Sequence, residues 1–193
     1  MDLKHIVLED RFVRLEPMTP AHREGFRAAC DADPDTWERL YPYPMHGPHF
    51  DVGWEKFYAA PGPERLNFAV TKDGVCVGSS SYLRIEPQHA TVEIGGTYYR
   101  PDMRGGAVNP ASKRLLLAHA FACGARRVTF RVDATNARSR AAVLKLGAVQ
   151  EGIMRQDMQT WTGRIRDTVL FSIVADEWPD VRARLDARLA ALG

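Results

Sequence analysis

Only three cysteines occur in 193 residues, Cys30, Cys76 and Cys123, and none sits in a CxxC pair. The chain therefore lacks both a disulfide framework and a thiolate zinc site, and reduced thiols in a cytoplasm are the plain expectation. Long apolar runs are missing too: nothing approaches the roughly 18 residues of a membrane span, and Met1 to Asp10 holds no uninterrupted apolar signal region. The sequence predicts a soluble, unexported protein with no membrane partner. Charge of one sign is also scarce, with 26 Lys+Arg against 24 Asp+Glu for a net +2. That balance argues against the broad basic footprint of a nucleic-acid binder and leaves room only for a local basic pocket. Repeats and low-complexity tracts are absent, as are GxxxxGK[ST], GxGxxG and GxSxG. A triphosphate P-loop, a dinucleotide fold and a serine hydrolase are each disfavoured.

What remains is an ordinary globular composition, 45% hydrophobic and 26% charged, of a length expected to form one domain over residues 1–193. Arg11 to Glu16 alternates as a first strand, and Thr19 caps a helix running to Cys30. Pro34 to Pro63 holds six of the twelve prolines with Trp37, Tyr41, Tyr43 and Trp54, a loop-rich segment linking two short helical pieces. Asn67–Thr71 and Val75–Glu86 form a hairpin about Lys72-Asp73-Gly74, and Ala90–Tyr99 adds a third antiparallel strand interrupted by Gly95-Gly96. The period then changes. Asn109-Pro110 reads as N-cap and N1 of a helix ending near Gly124, flanked by Tyr99 and by the strand Arg127–Asp133, two strands that should run parallel. A second helix opens at Thr135 or Asn136 and stops at Gly147. A long hairpin about Thr162-Gly163 follows, then a terminal helix marked by Val181, Leu185 and Leu189. The sum is one mixed α/β or α+β sheet.

Two segments carry candidate chemistry. Arg104-Gly105-Gly106-Ala107-Val108-Asn109-Pro110 is a glycine-bearing loop between strand and helix, able either to cradle phosphate with backbone N–H groups, helix N-terminus and Arg104, or simply to turn. Asn136-Ala137-Arg138-Ser139 opens the next helix, where Asn136 and Ser139 face one side as ligand contacts or as capping residues. His46-Gly47-Pro48-His49 has metal-like spacing without an evident third ligand and is read as surface, with no metal. Gly78-Ser79-Ser80-Ser81 is read as strand.

With these segments the chain resembles the GNAT acyl-CoA-dependent N-acyltransferases, and more closely their RimJ/RimL branch of ribosomal-protein N-terminal acetyltransferases. The resemblance covers nearly the whole length. It is carried by Arg11–Pro17, Val92-Glu93-Ile94-Gly95, Arg104–Asn109, Asp133–Arg140, Lys145-Leu146-Gly147-Ala148, Glu151-Gly152, Arg166-Asp167-Thr168 and Asp176–Pro179, in order. It implies a GNAT fold: a single mixed, mostly antiparallel, splayed sheet of about seven strands with helices on both faces. Acetyl-CoA would lie as cosubstrate in the opening between the central strand and the parallel one. There Thr97, Tyr98 and Tyr99 would bond the pantetheine arm through their backbone, and Arg104, Gly105, Gly106, Ala107, Val108 and Asn109 would wrap the pyrophosphate. Asn136 would touch the cofactor from the next helix.

Asp102 departs from the family pattern, which places Gln or Arg at that position, so backbone contacts are expected to dominate phosphate binding. Gly95-Gly96 could aim a backbone N–H at the thioester oxygen. The reaction implied is direct attack of a neutral primary amine on the acetyl thioester. Glu93 is the candidate relay or amine anchor, or else a buried ion-pair partner of an arginine. Ser139 is the candidate donor to the leaving thiolate, or only a first-turn serine. Tyr41, Tyr43 and Trp161 are candidate acceptor contacts, with packing against the sheet as the alternative. The favoured acceptor is a peptide or protein N-terminal α-amine. The alternatives are a small-molecule amine, or an acyl-CoA-binding or sensing protein without catalysis. Branch members include homodimers, and the terminal helix or long hairpin offers a surface for one.

Overall fold

The computed structural model describes residues 1–59 and 62–192. Residues 60–61 of the expected proline-rich loop, and residue 193 of the expected domain span, lie outside the described part. The alternating segments become eight strands: β1 (Leu8–Glu9), β2 (Arg14–Pro17), β3 (Leu66–Lys72), β4 (Val75–Glu86), β5 (Thr91–Tyr99), β6 (Arg127–Asp133), β7 (Val149–Gln159) and β8 (Ile165–Val174). The helices are α1 (Arg23–Asp31), α2 (Pro34–Leu40), α3 (Phe50–Trp54), α4 (Val108–Ala122), α5 (Ala137–Leu146) and α6 (Trp178–Ala190). The sheet order is β1-β2-β3-β4-β5-β6-β8-β7, and β5 with β6 is the one parallel pairing among the described residues.

Eight strands stand where about seven were expected because β1 pairs only through Leu8↔Leu15 and Glu9↔Arg14, too short for alternation to reveal. The first long strand also starts later than its alternation implied. The Asp10 carboxylate accepts hydrogen bonds from the Phe12 and Val13 N–H groups and turns the chain there.

Helices cover both faces. On one, Phe26, Cys30, Trp37, Phe50 and Trp54 of α1–α3 close over Ala69, Cys76 and Tyr98 of β3–β5. On the other, Leu116, Leu117, Val143, Leu146, Val181 and Leu185 of α4–α6 pack on Val92, Ile94, Val128, Phe130, Phe171 and Ile173. Each large side chain so buried contributes about 1.5–3 kcal/mol relative to exposure. Helix α5 is bounded as its sequence predicts. The Asn136 side chain accepts from the Ser139 N–H at 3.0 Å, and Gly147 ends it at φ +102°. A Cβ on Gly147 would also lie 2.8 Å from Arg184 on α6, so glycine there serves both the turn and the helix contact.

Helix α4 corrects one expectation. It begins at Val108 with Ala107 at its cap, two residues before the expected Asn109 cap, which puts Pro110 at the third helical position. A proline is tolerated there because the first-turn N–H groups have no intrahelical partner.

The site is positioned by two irregularities of β5. Its parallel pairing with β6 runs only through Thr91↔Arg127, Val92↔Val128 and Glu93↔Thr129, after which the strands part. On the other edge Ser81 pairs with Gly95 and Ser79 with Tyr98, so Gly96 and Thr97 together oppose Ser80. This is a bulge, with Gly96 at φ +56°, and it increases the local twist where the opening starts.

Candidate active site

Alternation decides which backbone groups of β5 face the opening. The Arg100 N–H donates to the Val77 carbonyl at 2.9 Å, and a Cβ on Gly78 would lie 2.1 Å from the Tyr98 carbonyl oxygen. Tyr98 therefore turns its carbonyl toward β4, while Thr97 and Tyr99 turn theirs outward. The expectation that all three would offer backbone bonds is corrected for Tyr98. Its ring stacks on Trp37 at 4.5 Å and its hydroxyl donates to the Ala29 carbonyl at 2.8 Å, which makes it a packing residue. The two outward carbonyls already have internal donors: the Tyr41 hydroxyl on Thr97 and Arg104 Nε on Tyr99 at 2.8 Å.

The loop after β5 turns its backbone to open space. Gly105 sits at φ +83°, and a Cβ on Gly105 or Gly106 would meet nothing within 4 Å, so this stretch borders open space. Helix α4 has no side-chain cap, which leaves its first N–H groups and the positive end of its dipole for an anion. The Val108 side chain is buried in the core, so only its backbone is available; Asn109 stays half-buried beside it. Arg104 has an internal partner that the sequence did not show. It forms an ion pair with Asp33, the N-cap of α2, and lies 5.3 Å over the Tyr98 ring, strapping α2 to the end of β5. Asp102, the departure from the family pattern, is held in a bidentate pair with Arg100.

Glu93 is the last β5 residue paired with β6 and is 5% exposed. Its Oε2 lies 3.1 Å from Arg84 Nε, close enough for an ion pair but without hydrogen-bond alignment, so that buried oxygen has no donor. Burial pushes the carboxyl above its usual value, opposed by the nearby Arg84, Arg131 and Arg166 guanidiniums. Of the alternatives read from the sequence, the ion pair with an arginine is present. Gly95 makes the arrangement fit: a Cβ there would lie 2.7 Å from Glu93 Oε1.

Around Glu93 lies a mixed-charge floor that sequence reading missed. Arg166, itself buried, lies 3.9 Å from Asp133, while Asp133 also pairs with Arg164. Burial alone would raise the Asp133 carboxyl, yet Arg164 and the Thr135 hydrogen bonds outweigh it and hold the group low. Arg131 Nε and Asp157 Oδ2 are buried without partners. Arg166 was legible as part of Arg166-Asp167-Thr168 and Arg131 as a member of an alternating strand, but the sequence did not say which arginine would meet Glu93.

Ser139 sits three residues into the first turn of α5, half-buried, with its N–H bound to Asn136. The cap uses only the carbonyl oxygen of the Asn136 side chain. A cleft of about 310 Å³ opens between α2 and this helix start, lined by Asp35, Arg39, Thr135, Asn136 and Arg138. It includes neither Glu93 nor the glycine loop. Tyr41, Tyr43 and Trp161 are brought together. Tyr41 packs on Trp37 at 4.1 Å, Tyr43 on Phe57 at 4.1 Å, and the Trp161 N–H donates to the Pro42 carbonyl at 3.1 Å. His46 and His49 have ring centres 5.8 Å apart beside Trp161.

Lys113 was also missed. It shares a helical face of α4 with Leu117 and Ala120, four and seven residues on, and both of these are fully buried. That spacing was the available signal.

A splayed parallel pair, a bulged central strand and an uncapped helix after a glycine loop define an acyl-CoA-dependent transferase of the GNAT class. The GNAT acetyltransferase domain model matches residues 13–149, and the chain belongs to that family. It is similar to the crystal structure of a candidate acetyltransferase from T. thermophilus, at 37% identity and TM-score 0.88, covering 98% of this chain and 100% of that one. It is similar also to a GCN5-related N-acetyltransferase from Brucella melitensis, at 29% identity and TM-score 0.87, covering 96% and 86%. Mycobacterium smegmatis RimJ in complex with CoA-disulfide shares the fold at 24% identity and TM-score 0.78, covering 91% and 88%. No curated protein matches the sequence. The protein is thus an acetyl-CoA-using N-acetyltransferase by family. Among the described residues no helix is long and apolar enough to cross a membrane.

Proposed function

We propose that the protein transfers the acetyl group of acetyl-CoA to the N-terminal α-amine of a peptide or protein. The observation that carries this reading is the parting of β5 from β6 just beyond Glu93, which puts a buried carboxylate at the head of the opening where the thioester would end. Strand β7, at the edge of the sheet, is exposed along most of its length, and an extended chain end fits along such an edge better than a small amine needing enclosure. The fold shared with RimJ, and with RimL at TM-score 0.74 and 14% identity, points the same way.

The chemistry follows from the parts. An α-amine of pKa about 7.7–8.0 is partly neutral near pH 7, so it needs only a weak proton acceptor. Glu93, directly or through water, takes the proton or anchors the ammonium before it is lost. Thr97 and Tyr99 offer their outward backbone groups to the pantetheine arm. The α4 N-terminus with Gly105, Gly106, Ala107, Val108 and Asn109 holds the pyrophosphate, and Asn136 contacts the arm through its free amide nitrogen. The leaving thiolate is stabilised by the positive end of α5 and by a hydrogen bond from Ser139. Tyr41, Tyr43 and Trp161 border the acceptor. The test is release of CoA from acetyl-CoA with a pool of hexapeptides bearing free α-amines, the same pool N-blocked, and a panel of small amines. Turnover confined to the free peptides is expected; turnover only with small amines would overturn the acceptor assignment.

A further inference from the structure

Lys113 has no part in the chemistry described so far, yet its placement is costly. It is 5% exposed, and its side chain passes from α4 into the bulge of β5. Nζ donates to Thr97 Oγ1 at 2.6 Å and to Ser80 Oγ at 3.1 Å. The two hydroxyls lie 2.7 Å apart, and Thr97 Oγ1 donates onward to the Gly95 carbonyl at 3.4 Å. Among the described residues no carboxylate pairs with it. The other titratable groups on this face of β4 and β5 are Tyr82 and Tyr99, phenols kept neutral by burial, and Arg114 on α4 turns away to pair with Asp186 on α6. Desolvation alone brings the amine down to about 7.

A buried amine without an acid partner is a poor way to fill a core, since an apolar side chain of the same length would pack there without the desolvation cost. What the amine supplies is two donors at once. They join the bulged strand, at Thr97, to its unbulged neighbour, at Ser80, and they leave the Thr97 hydroxyl proton free to hold Gly95. Both ends of the two-residue bulge are thereby fixed from behind, while the Thr97 backbone faces the opening in front.

We propose that Lys113 is a positioning residue for acyl transfer, pinning Thr97 to Ser80 so that the β5 bulge presents its backbone to the thioester in one geometry. The inference rests on the acetyl-CoA reading above. A donor misplaced at a developing oxyanion costs turnover far more than ground-state affinity.

The experiment compares wild type with Lys113→Met, Thr97→Val and Thr97→Ser, measuring acetyl-CoA affinity by calorimetry and kcat on the free-amine hexapeptide pool. Lys113→Met and Thr97→Val should each lower kcat by at least about tenfold while Kd for acetyl-CoA stays within about threefold. Thr97→Ser, which keeps the hydroxyl, should restore kcat to within about threefold of wild type. Lys113→Met should also melt no lower than wild type. A merely structural lysine would give the reverse: a less stable Lys113→Met protein with unchanged kcat, and no distinction between Thr97→Val and Thr97→Ser. Either pattern overturns the inference, as does a loss of affinity that accounts for the whole effect. Absence of transfer by the wild type would instead overturn the acetyl-transfer reading, and the inference with it.

Discussion

Replacing Lys113 by Met should make the protein more stable, and by an amount that depends on pH. Lowering the amine from 10.5 to about 7 corresponds to roughly 5 kcal/mol between its acid and alkaline limits, at about 1.4 kcal/mol per pKa unit. The sign follows from proton counting. Between pH 7 and 10.5 the unfolded chain holds a proton on Lys113 that the folded chain does not, so wild-type stability rises with pH across that window. Below pH 7 both states are protonated and the whole cost is present; above 10.5 it has vanished. Methionine fills a similar volume, and the Ser80 and Thr97 hydroxyls at 2.7 Å still satisfy one another. After the lost hydrogen bonds are set against the relieved desolvation, a net gain on the order of 2 kcal/mol at pH 7 is expected, or several degrees in Tm. Urea unfolding of wild type and Lys113→Met at pH 6.5, 8.0 and 9.5 checks this, because every other titrating group is common to both proteins. The gap should narrow as pH rises. Parallel curves, or a variant less stable at all three pH values, would refute the argument that this lysine is buried at a cost.

Other substitutions probe the site from different sides. Gly96→Ala places a side chain at φ +56° with its Cβ 3.3 Å from Arg65 Nη2 and Ser81 Oγ; about 1 kcal/mol of stability should be lost, with a disproportionate fall in kcat, and unchanged turnover would show that the bulge does not matter. Tyr41→Phe frees the outward Thr97 carbonyl, so acetyl-CoA should bind up to about fivefold tighter by calorimetry, whereas equal or weaker binding would rule out competition between the hydroxyl and the pantetheine arm. Glu93→Gln and Ser139→Ala should each lower kcat by about tenfold or more with little change in Kd for acetyl-CoA; retained kcat removes that residue from the chemistry.

The parts of the fold that were legible were those whose geometry is local. Asp73 and Gly74 both take positive φ, at +51° and +76°, as a two-residue hairpin turn demands, so the β3–β4 pairing could be read from the dipeptide and its flanking alternation. The caps of α5 were equally visible, since a side-chain acceptor and a left-handed glycine announce themselves in sequence. The glycine loop stood out as a motif, but the sequence could not show Asp33, 71 residues away, pairing with Arg104. Tyr98 was misassigned for a related reason: strand parity is countable, but a bulge resets it, and the bulge exists through the pairing of Gly96 and Thr97 against Ser80. Arg131 and Arg166 became part of a site only when β6 and β8 met the end of β5.

Several positions that break local rules lie around the middle of β5. Arg84 holds φ +48°, an unfavourable conformation for a side chain of its kind, and its guanidinium is the one that reaches Glu93. Gly96 occupies the left-handed region one residue beyond the glycine whose missing Cβ makes room for the Glu93 carboxylate. Lys113 is buried without a counter-charge directly behind Thr97, and Glu93 keeps an oxygen without a donor. The Arg84 backbone and the two buried polar groups each cost on the order of 1 kcal/mol or more, and the surrounding cores of α1–α3 and α4–α6 supply the stability that tolerates them. Their concentration within a few residues of the point where β5 leaves β6 locates the demand of function in that strand more narrowly than the glycine loop does. On the acetyl-transfer reading, the Glu93 carboxylate on one face of β5 and the Lys113 amine on the other flank the stretch of strand expected to meet the thioester.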